Sequence, residues 1–274
     1  MGAAAVAAVT LAGCGSANNG GSPAPAPANP QAQDAPKPKK EAGGNLDNIV
    51  DASRKAGSAK ITASIEAEVG GQKLTLNAGE GAVDFANKRS KMATKMADPA
   101  TGKEGQGMNT VIDGGTGYLQ YIMDGQPGPW MKFDLTAMVG QRGVSDMGSY
   151  ISLMAGITES KMVEKDKVHS VDTTHYKVTV DPKKIAERYP ETKEFIASMM
   201  KMAESVAPGS TKGVEEEANK PVQYDLWVDK GGLIYRIVQE FSAKGEDGQD
   251  VTGRSTMEFY DYGQPVEITA PAVA

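Results

Sequence analysis

The chain is poor in chemistry-bearing side chains: it has one cysteine and two histidines in 274 residues. A single thiol excludes an intramolecular disulfide, so the core must hold the fold alone. It also spares an exported protein unwanted oxidation. His169 and His175 sit six apart on a segment with strand character, which places them on one face. Zinc needs three or four ligands, and neither a second cysteine nor an H-E-x-x-H motif joins this pair, so both histidines are expected on a solvated β surface. A G-x-S-x-G elbow is missing, as are the Walker-type and dinucleotide glycine patterns. Gly245-Glu246-Asp247-Gly248-Gln249-Asp250 lacks the bidentate Glu that closes a calcium loop and reads as a hairpin loop. No run approaches the roughly 20 apolar residues of a membrane-spanning helix. A basic excess is absent too: the net charge of -6 argues against nucleic acid as a partner. No catalytic residue, metal or cofactor is assigned, and the chain is not expected to be an enzyme.

What is present begins with the one cysteine. Cys14 closes Leu11-Ala12-Gly13-Cys14 after a run of Ala and Val, and a long Pro-rich polar stretch follows. This looks like a bacterial lipobox, with Leu11, Ala12 and Gly13 before a thiol that takes a diacylglyceryl group. The expected location is the cell membrane, lipid-anchored on its extracytoplasmic face. Met1-Gly2-Ala3 carries no charge, whereas a signal peptide opens with Lys or Arg, which predicts a start that trims the basic n-region. Residues 1–13 are then signal peptide and 14–44 a lipidated cysteine with a disordered Pro/Ala/Gly tether. That tether is too poor in apolar surface to offset ordering entropy. The rest, 45–274, is enough for one sizeable domain. Trp130 and Trp227 are expected in packing roles rather than stacked on sugars.

The tether gives way to periodic segments. Asn45 is the expected N-cap of a short helix carrying Leu46, Ile49, Val50 and Ala56, with Gly57 as its C′ glycine. Ile61, Ala63, Ile65, Ala67 and Val69 alternate with polar residues as one strand, and Leu74, Leu76 and Ala78 resume the alternation after Gly70-Gly71. Weaker strands are read at 89–96, 109–113, 117–123 and 130–134. A helix is expected over 144–157, a strand pair over 163–180, and a helix starting at Asp181-Pro182. Its apolar stripe continues through Phe195, Met199, Met202 and Val206. Val222 to Val228 forms a hairpin with a return strand on which Leu233, Tyr235, Ile237 and Phe241 share a face, and a third strand carries Met257 and Phe259. Hairpins with one apolar face imply an antiparallel sheet covered by helices, an α+β arrangement. Methionine occurs 14 times, and this soft side chain suits surfaces that adapt to variable apolar shapes as well as it suits a tight core.

Four segments resemble the LppX/LprAFG family of actinobacterial lipoproteins, whose domain is similar to the LolA-like carriers. They are Val111-Ile112-Asp113-Gly114-Gly115 through Trp130-Met131-Lys132-Phe133-Asp134, Thr174-His175-Tyr176-Lys177-Val178, Tyr224-Asp225-Leu226-Trp227-Val228-Asp229, and Asp261-Tyr262-Gly263 through Ala270-Pro271. The resemblance implies a strongly curved antiparallel sheet, an incomplete β-barrel whose concave face is covered by helices. An apolar cavity between them takes acyl chains. Its expected lining is Ile61, Ile65, Leu74, Leu76, Met154, Met199, Tyr224, Leu226, Tyr235, Ile237, Met257 and Phe259. The implied partners are a membrane, through the lipidated Cys14, and an acyl-chain lipid bound by a monomer. A rival reading is an envelope interaction, sensing or assembly protein with a solidly packed sheet. A third is an exported hydrolase whose residues meet only in the fold.

Overall fold

The computed structural model describes residues 46–69, 72–97, 104–134, 149–189, 220–244 and 250–273. The alternating segments pair into a single 12-stranded sheet. In chain order its strands are β1 (Ser58–Val69), β2 (Gln72–Asp84), β3 (Arg89–Ala97), β4 (Glu104–Asp113), β5 (Thr116–Met123), β6 (Gln126–Pro127), β7 (Met131–Asp134), β8 (Ile157–Val168), β9 (Val171–Val180), β10 (Val222–Asp229), β11 (Ile234–Lys244) and β12 (Asp250–Tyr260). Their spatial order is β6-β5-β4-β3-β2-β1-β12-β11-β10-β9-β8, with β7 also on β5. The first and last strands therefore meet in the middle. Among the described residues the sheet does not close, and β8 is an edge with no further strand on it. Every pairing is antiparallel, as short sequential connections require.

Among the described residues, three short helices accompany it: α1 (Ile49–Lys55), α2 (Ser149–Leu153), prolonged by a 3-10 turn at Met154–Gly156, and α3 (Pro182–Arg188). Helix α3 starts as its sequence dictates, since the Asp181 carboxylate accepts the Lys183 amide at 2.9 Å and Pro182 occupies the first turn. Gly57 follows the end of α1 at φ 86, the left-handed conformation that suits a C′ glycine. Two expected helices are described only in part. A 3-10 turn at Leu46–Asn48 precedes α1, and Asn45 lies outside the described residues. Of the helix expected over 144–157, the residues before Ser149 lie outside the described ones and Ile157 already opens β8. Gly156 marks a close approach of this turn to α3, since a Cβ there would fall 2.5 Å from Ile185. The stripe from Phe195 to Val206 lies outside the described residues.

One large core joins the helices to one face of the sheet. Ile49 and Val50 of α1, Ile151 of α2, Met154 and Ile185 of α3 pack with Ile61, Val83, Met92, Tyr176, Leu226, Ile237, Met257 and Phe259. Polar bonds lace the same elements together. The buried Ser53 hydroxyl of α1 accepts the Ile234 amide at 3.1 Å. Arg54 donates to Ser152 at 2.6 Å, and Arg188 of α3 pairs with Asp51 of α1 at 3.1 Å. A second, smaller core lies on the other face, where Ile268, Val266 and Ala270 of the irregular C-terminal segment cover Ala82, Val111 and Tyr118 beside Trp130.

Two β-bulges overturn the simple alternation expected for β2 and β11. Ile65 faces Asn77 but Glu66 faces Thr75, so Leu76 is the extra residue. Beyond it Leu74 shares the Ala67 row, while Ala78 faces Ser64 on the opposite side. In β11, Trp227 faces Arg236 and Val228 faces Ile234, which leaves Tyr235 as the extra residue and puts Ile234 into the core. An inserted residue reverses the parity of everything beyond it, which alternation alone does not reveal.

Candidate functional site

Residues directly opposite each other in an antiparallel pair share a face, so the registers define rows of side chains across the sheet. One row runs through Met162, Tyr176, Leu226, Ile237, Met257, Ala63, Gly79, Thr94, Met108 and Tyr121, from the β8 edge to β5. Its middle is the core, with Leu226, Ile237 and Met257 buried beneath the helices' apolar residues. Both of its ends are open: Met162 and Tyr121 are each 46% exposed. A parallel row through Ile61, Gly81, Met92, Thr110, Leu119 and Met131 shows the same change, from fully buried Ile61 to Met131, which is 43% exposed.

The apolar face therefore outruns the core. Past Ile61 and Met92, toward the β1–β2 and β5–β6 ends of the strands, lie Ile65, Leu74, Met96 and Met108, with Leu119 level with Met92 and Phe133 toward the other end of the same face, all half-buried. Met123 is the most open of this group at 58% exposure. Glycines bring the strands and rings close together here. A Cβ on Gly117 would sit 2.3 Å from the Phe133 ring, one on Gly253 would sit 2.3 Å from the Phe241 ring, and one on Gly81 would sit 2.1 Å from the Lys91 carbonyl. Strand glycines of this kind mark bends and close backbone approach.

The residues expected to line a cavity split into two groups along this gradient. Ile61, Met154, Leu226, Ile237, Met257 and Phe259 belong to the packed core. Ile65, Leu74, Leu76 and Tyr224 are half-buried, at its margin or beyond it. Tyr235 sits at the β11 bulge, edge-on to Tyr262 with ring centroids 5.6 Å apart. Met199 lies outside the described residues. Sequence reasoning missed Met96, Met108, Leu119, Tyr121, Met123 and Met131. Their strands were legible, but the residues before and after them are mixed in polarity, and only the registers show that they share a face.

Tyr224 stands on the core margin of β10, and burial, with a smaller contribution from Tyr150, pushes its phenol up to about 12. Burial drives the Tyr262 phenol still further up, and its hydroxyl donates to the Ile234 carbonyl. Both groups are thus neutral hydroxyls at physiological pH.

The opposite face carries the histidines: His169 is exposed, as expected, but for His175 the expectation of a solvated surface is corrected. His175 is buried: its ring stacks on Trp227 at 4.1 Å and its Nε2 lies 2.6 Å from Asp225 Oδ1. His169 is not on a strand but in the β8–β9 turn, at φ 49, where it meets Glu258 at 2.8 Å and stacks on Tyr260 at 4.4 Å. The Arg236 guanidinium lies 5.1 Å from the Trp227 ring centre and pairs with Glu258 at 2.6 Å, and the Trp227 indole donates to Asp166 at 2.9 Å. Trp227 draws these aromatic and charged groups together, so the large ring is desolvated without a hydrophobic core. Among the described residues no group of three or more His, Cys, Asp and Glu side chains is placed to hold a metal ion, and no helix is long and apolar enough to cross a membrane. Cys14 and the expected lipobox residues Leu11, Ala12 and Gly13 lie outside the described residues.

No family model matches the chain, and no curated protein matches it. Among solved structures, a putative outer membrane lipoprotein-sorting protein domain from Vibrio parahaemolyticus is similar at 10% identity and a TM-score of 0.24, over 79% of this chain and 92% of that one. LprF from Mycobacterium bovis is similar at 13% identity and a TM-score of 0.45, over 83% of this chain and 97% of that one. The lipoprotein LppX from Mycobacterium tuberculosis is similar at 13% identity and a TM-score of 0.45, over 82% of this chain and 98% of that one.

Proposed function

We propose that this chain is a membrane-anchored, extracytoplasmic lipoprotein that binds the acyl chain of a lipid against the open part of its apolar face, without catalysing a reaction. The observation that carries the reading is the mismatch between core and face: the apolar rows continue from fully buried Ile61 and Leu226 to half-open Ile65 and Leu74 and exposed Tyr121 and Met123. Unfilled apolar surface of this extent is what an acyl chain covers, at roughly 0.8 kcal/mol per buried methylene. Methionines at Met96, Met108, Met123 and Met131 supply soft contacts that adapt to chain length and unsaturation. Diacylglycerol on Cys14 would hold the domain beside its lipid source, and release would follow from meeting a membrane at the open end.

The test is direct. Full-length protein carrying Cys14→Ala, which removes the acylated residue, is purified without detergent and extracted for lipid mass spectrometry. A stoichiometric acyl species and saturable binding of a fluorescent fatty acid are expected. Reproducible absence of both would overturn the binding role and favour an interaction protein. The same substitution should move the protein from the membrane fraction to the soluble one; membrane retention would refute the anchor.

A further inference from the structure

We infer that the exposed end of the apolar face, formed by Tyr121 and Met123 of β5 and Met131 of β7, is a docking surface for a lipid bilayer. The three are among the few large apolar side chains that the described residues leave open, and they lie together. Tyr121 and Met123 alternate on one strand, while Met131 faces Leu119 on the same side of the sheet. A soluble domain rarely leaves such a patch uncovered unless something binds it.

Three observations select a bilayer as the occupant. The patch is continuous with the surface proposed above to hold the acyl chain, since Tyr121 faces Met108 and Leu119 faces Thr110 in the rows that lead into the core. A chain leaving a membrane that touches Tyr121 would meet Met108 next along this row, on the side that leads toward the core. The patch is also shaped for an interface rather than for hydrocarbon depth: Tyr121 brings an amphipathic ring suited to headgroup level, and the Asp124-Gly125 turn beside Met123 is charged and exposed. Finally, only about 30 residues separate Cys14 from Leu46, a length that keeps the domain within roughly 100 Å of an anchor at that cysteine. A weak surface contact suffices at such an effective concentration. The nearby charges have both signs, with Lys132 and Asp134 flanking Phe133 on β7 and Asp124 after β5. Attachment is therefore apolar and insensitive to anionic lipid.

The inference rests on the acyl-binding reading, but its test separates the two. Full-length Cys14→Ala protein is floated with vesicles of phosphatidylcholine, with and without phosphatidylglycerol. Binding to both compositions is expected, reduced at least tenfold by Met123→Glu and by Tyr121→Glu. Val163→Glu, at an equally exposed apolar residue on the far β8 edge, should leave it unchanged. Circular dichroism and fluorescent fatty-acid binding in solution accompany each variant. Vesicle binding without fatty-acid binding would sink the acyl site and keep the docking surface. Fatty-acid binding with no vesicle binding, or with equal losses in Met123→Glu and Val163→Glu, would overturn the docking surface. So would a dimer in sedimentation velocity that Met123→Glu disperses, which would assign the patch to a second copy. Binding that appears only with phosphatidylglycerol would also refute the apolar mode.

Discussion

At the residue scale, the chain relies on single side chains placed where burial changes their chemistry. Tyr224 is the sharpest case. Its phenol has an ordinary value of 10.0 and is held at about 12 in the fold, because ionising it at the core margin would desolvate a charge. The native state thus disfavours the phenolate, so this group's full stability is present below pH 10 and is lost as pH rises from 10 toward 12. Near pH 11, one unit above the ordinary phenol value, the loss is about 1 kcal/mol. Tyr224→Phe should remove that increment: urea denaturation should show less alkaline loss in the variant than in the parent between pH 8 and pH 11. Identical pH dependence would show that the hydroxyl is already solvated. Ile268 tests the smaller core in the same way. It is buried against Ala82, Val111 and Tyr118, and Ile268→Ala should cost about 2–4 kcal/mol in urea denaturation. A change below 0.5 kcal/mol, the level of an ordinary surface substitution, would show that the C-terminal segment is only loosely applied.

At the element scale, the β8 edge of the sheet shows how the fold avoids pairing with itself. Strand β8 is exposed from Thr158 to Lys167, and its register is broken twice, after Ile157 and after Met162. Charges at Glu159, Lys161, Glu164, Lys165, Asp166 and Lys167 surround its two exposed apolar residues, Met162 and Val163. Bulges and lysines are the usual means of blunting such an edge. Replacing Lys161 and Lys165 with Val should leave the melting temperature nearly unchanged while light scattering rises with protein concentration. Scattering equal to the parent would leave the bulges as the sufficient protection. The strands themselves were legible wherever period two held without interruption, as in Ile61, Ala63, Ile65 and Ala67, and so was the start of α3 at Asp181-Pro182, because these signals are local. What was not legible has one physical cause. Bulges at Leu76 and Tyr235 reset the parity, and pairing registers, which depend on distant partners, decide that Met108 and Tyr121 share a face. The histidines were misplaced for the same reason, since His169 belongs to a turn that reaches β12. The proposed acyl site was legible only as a set of apolar strand residues; their division into packed core and open margin is a property of the tertiary structure.

At the scale of the whole molecule, stability and ligand binding become separable through that division. A ligand that binds only the folded state stabilises it by RT ln(1 + [L]/Kd), about 2.7 kcal/mol at a hundredfold excess over Kd. If the open margin is the acyl site, substitutions there should abolish this increment at little cost to the unliganded protein. Core substitutions should do the reverse. Phe259 is fully buried and its replacement by Ala should cost about 3–5 kcal/mol. The variant should still gain stability when a fatty acid is added, because its site remains. Leu74→Glu lies half-buried beyond the β2 bulge and should lower the unliganded midpoint only slightly while losing the fatty-acid shift. Thermal melts of delipidated protein with and without a long-chain fatty acid read both quantities from one sample. The crossed pattern is the expected result: a low baseline with a retained shift for Phe259→Ala, and a near-parental baseline with no shift for Leu74→Glu. If Leu74→Glu keeps the full shift while Phe259→Ala loses it, the ligand reaches into the packed core. The helices α1, α2 and α3 must then move apart to admit it, and the site is a conformational opening instead of a standing surface.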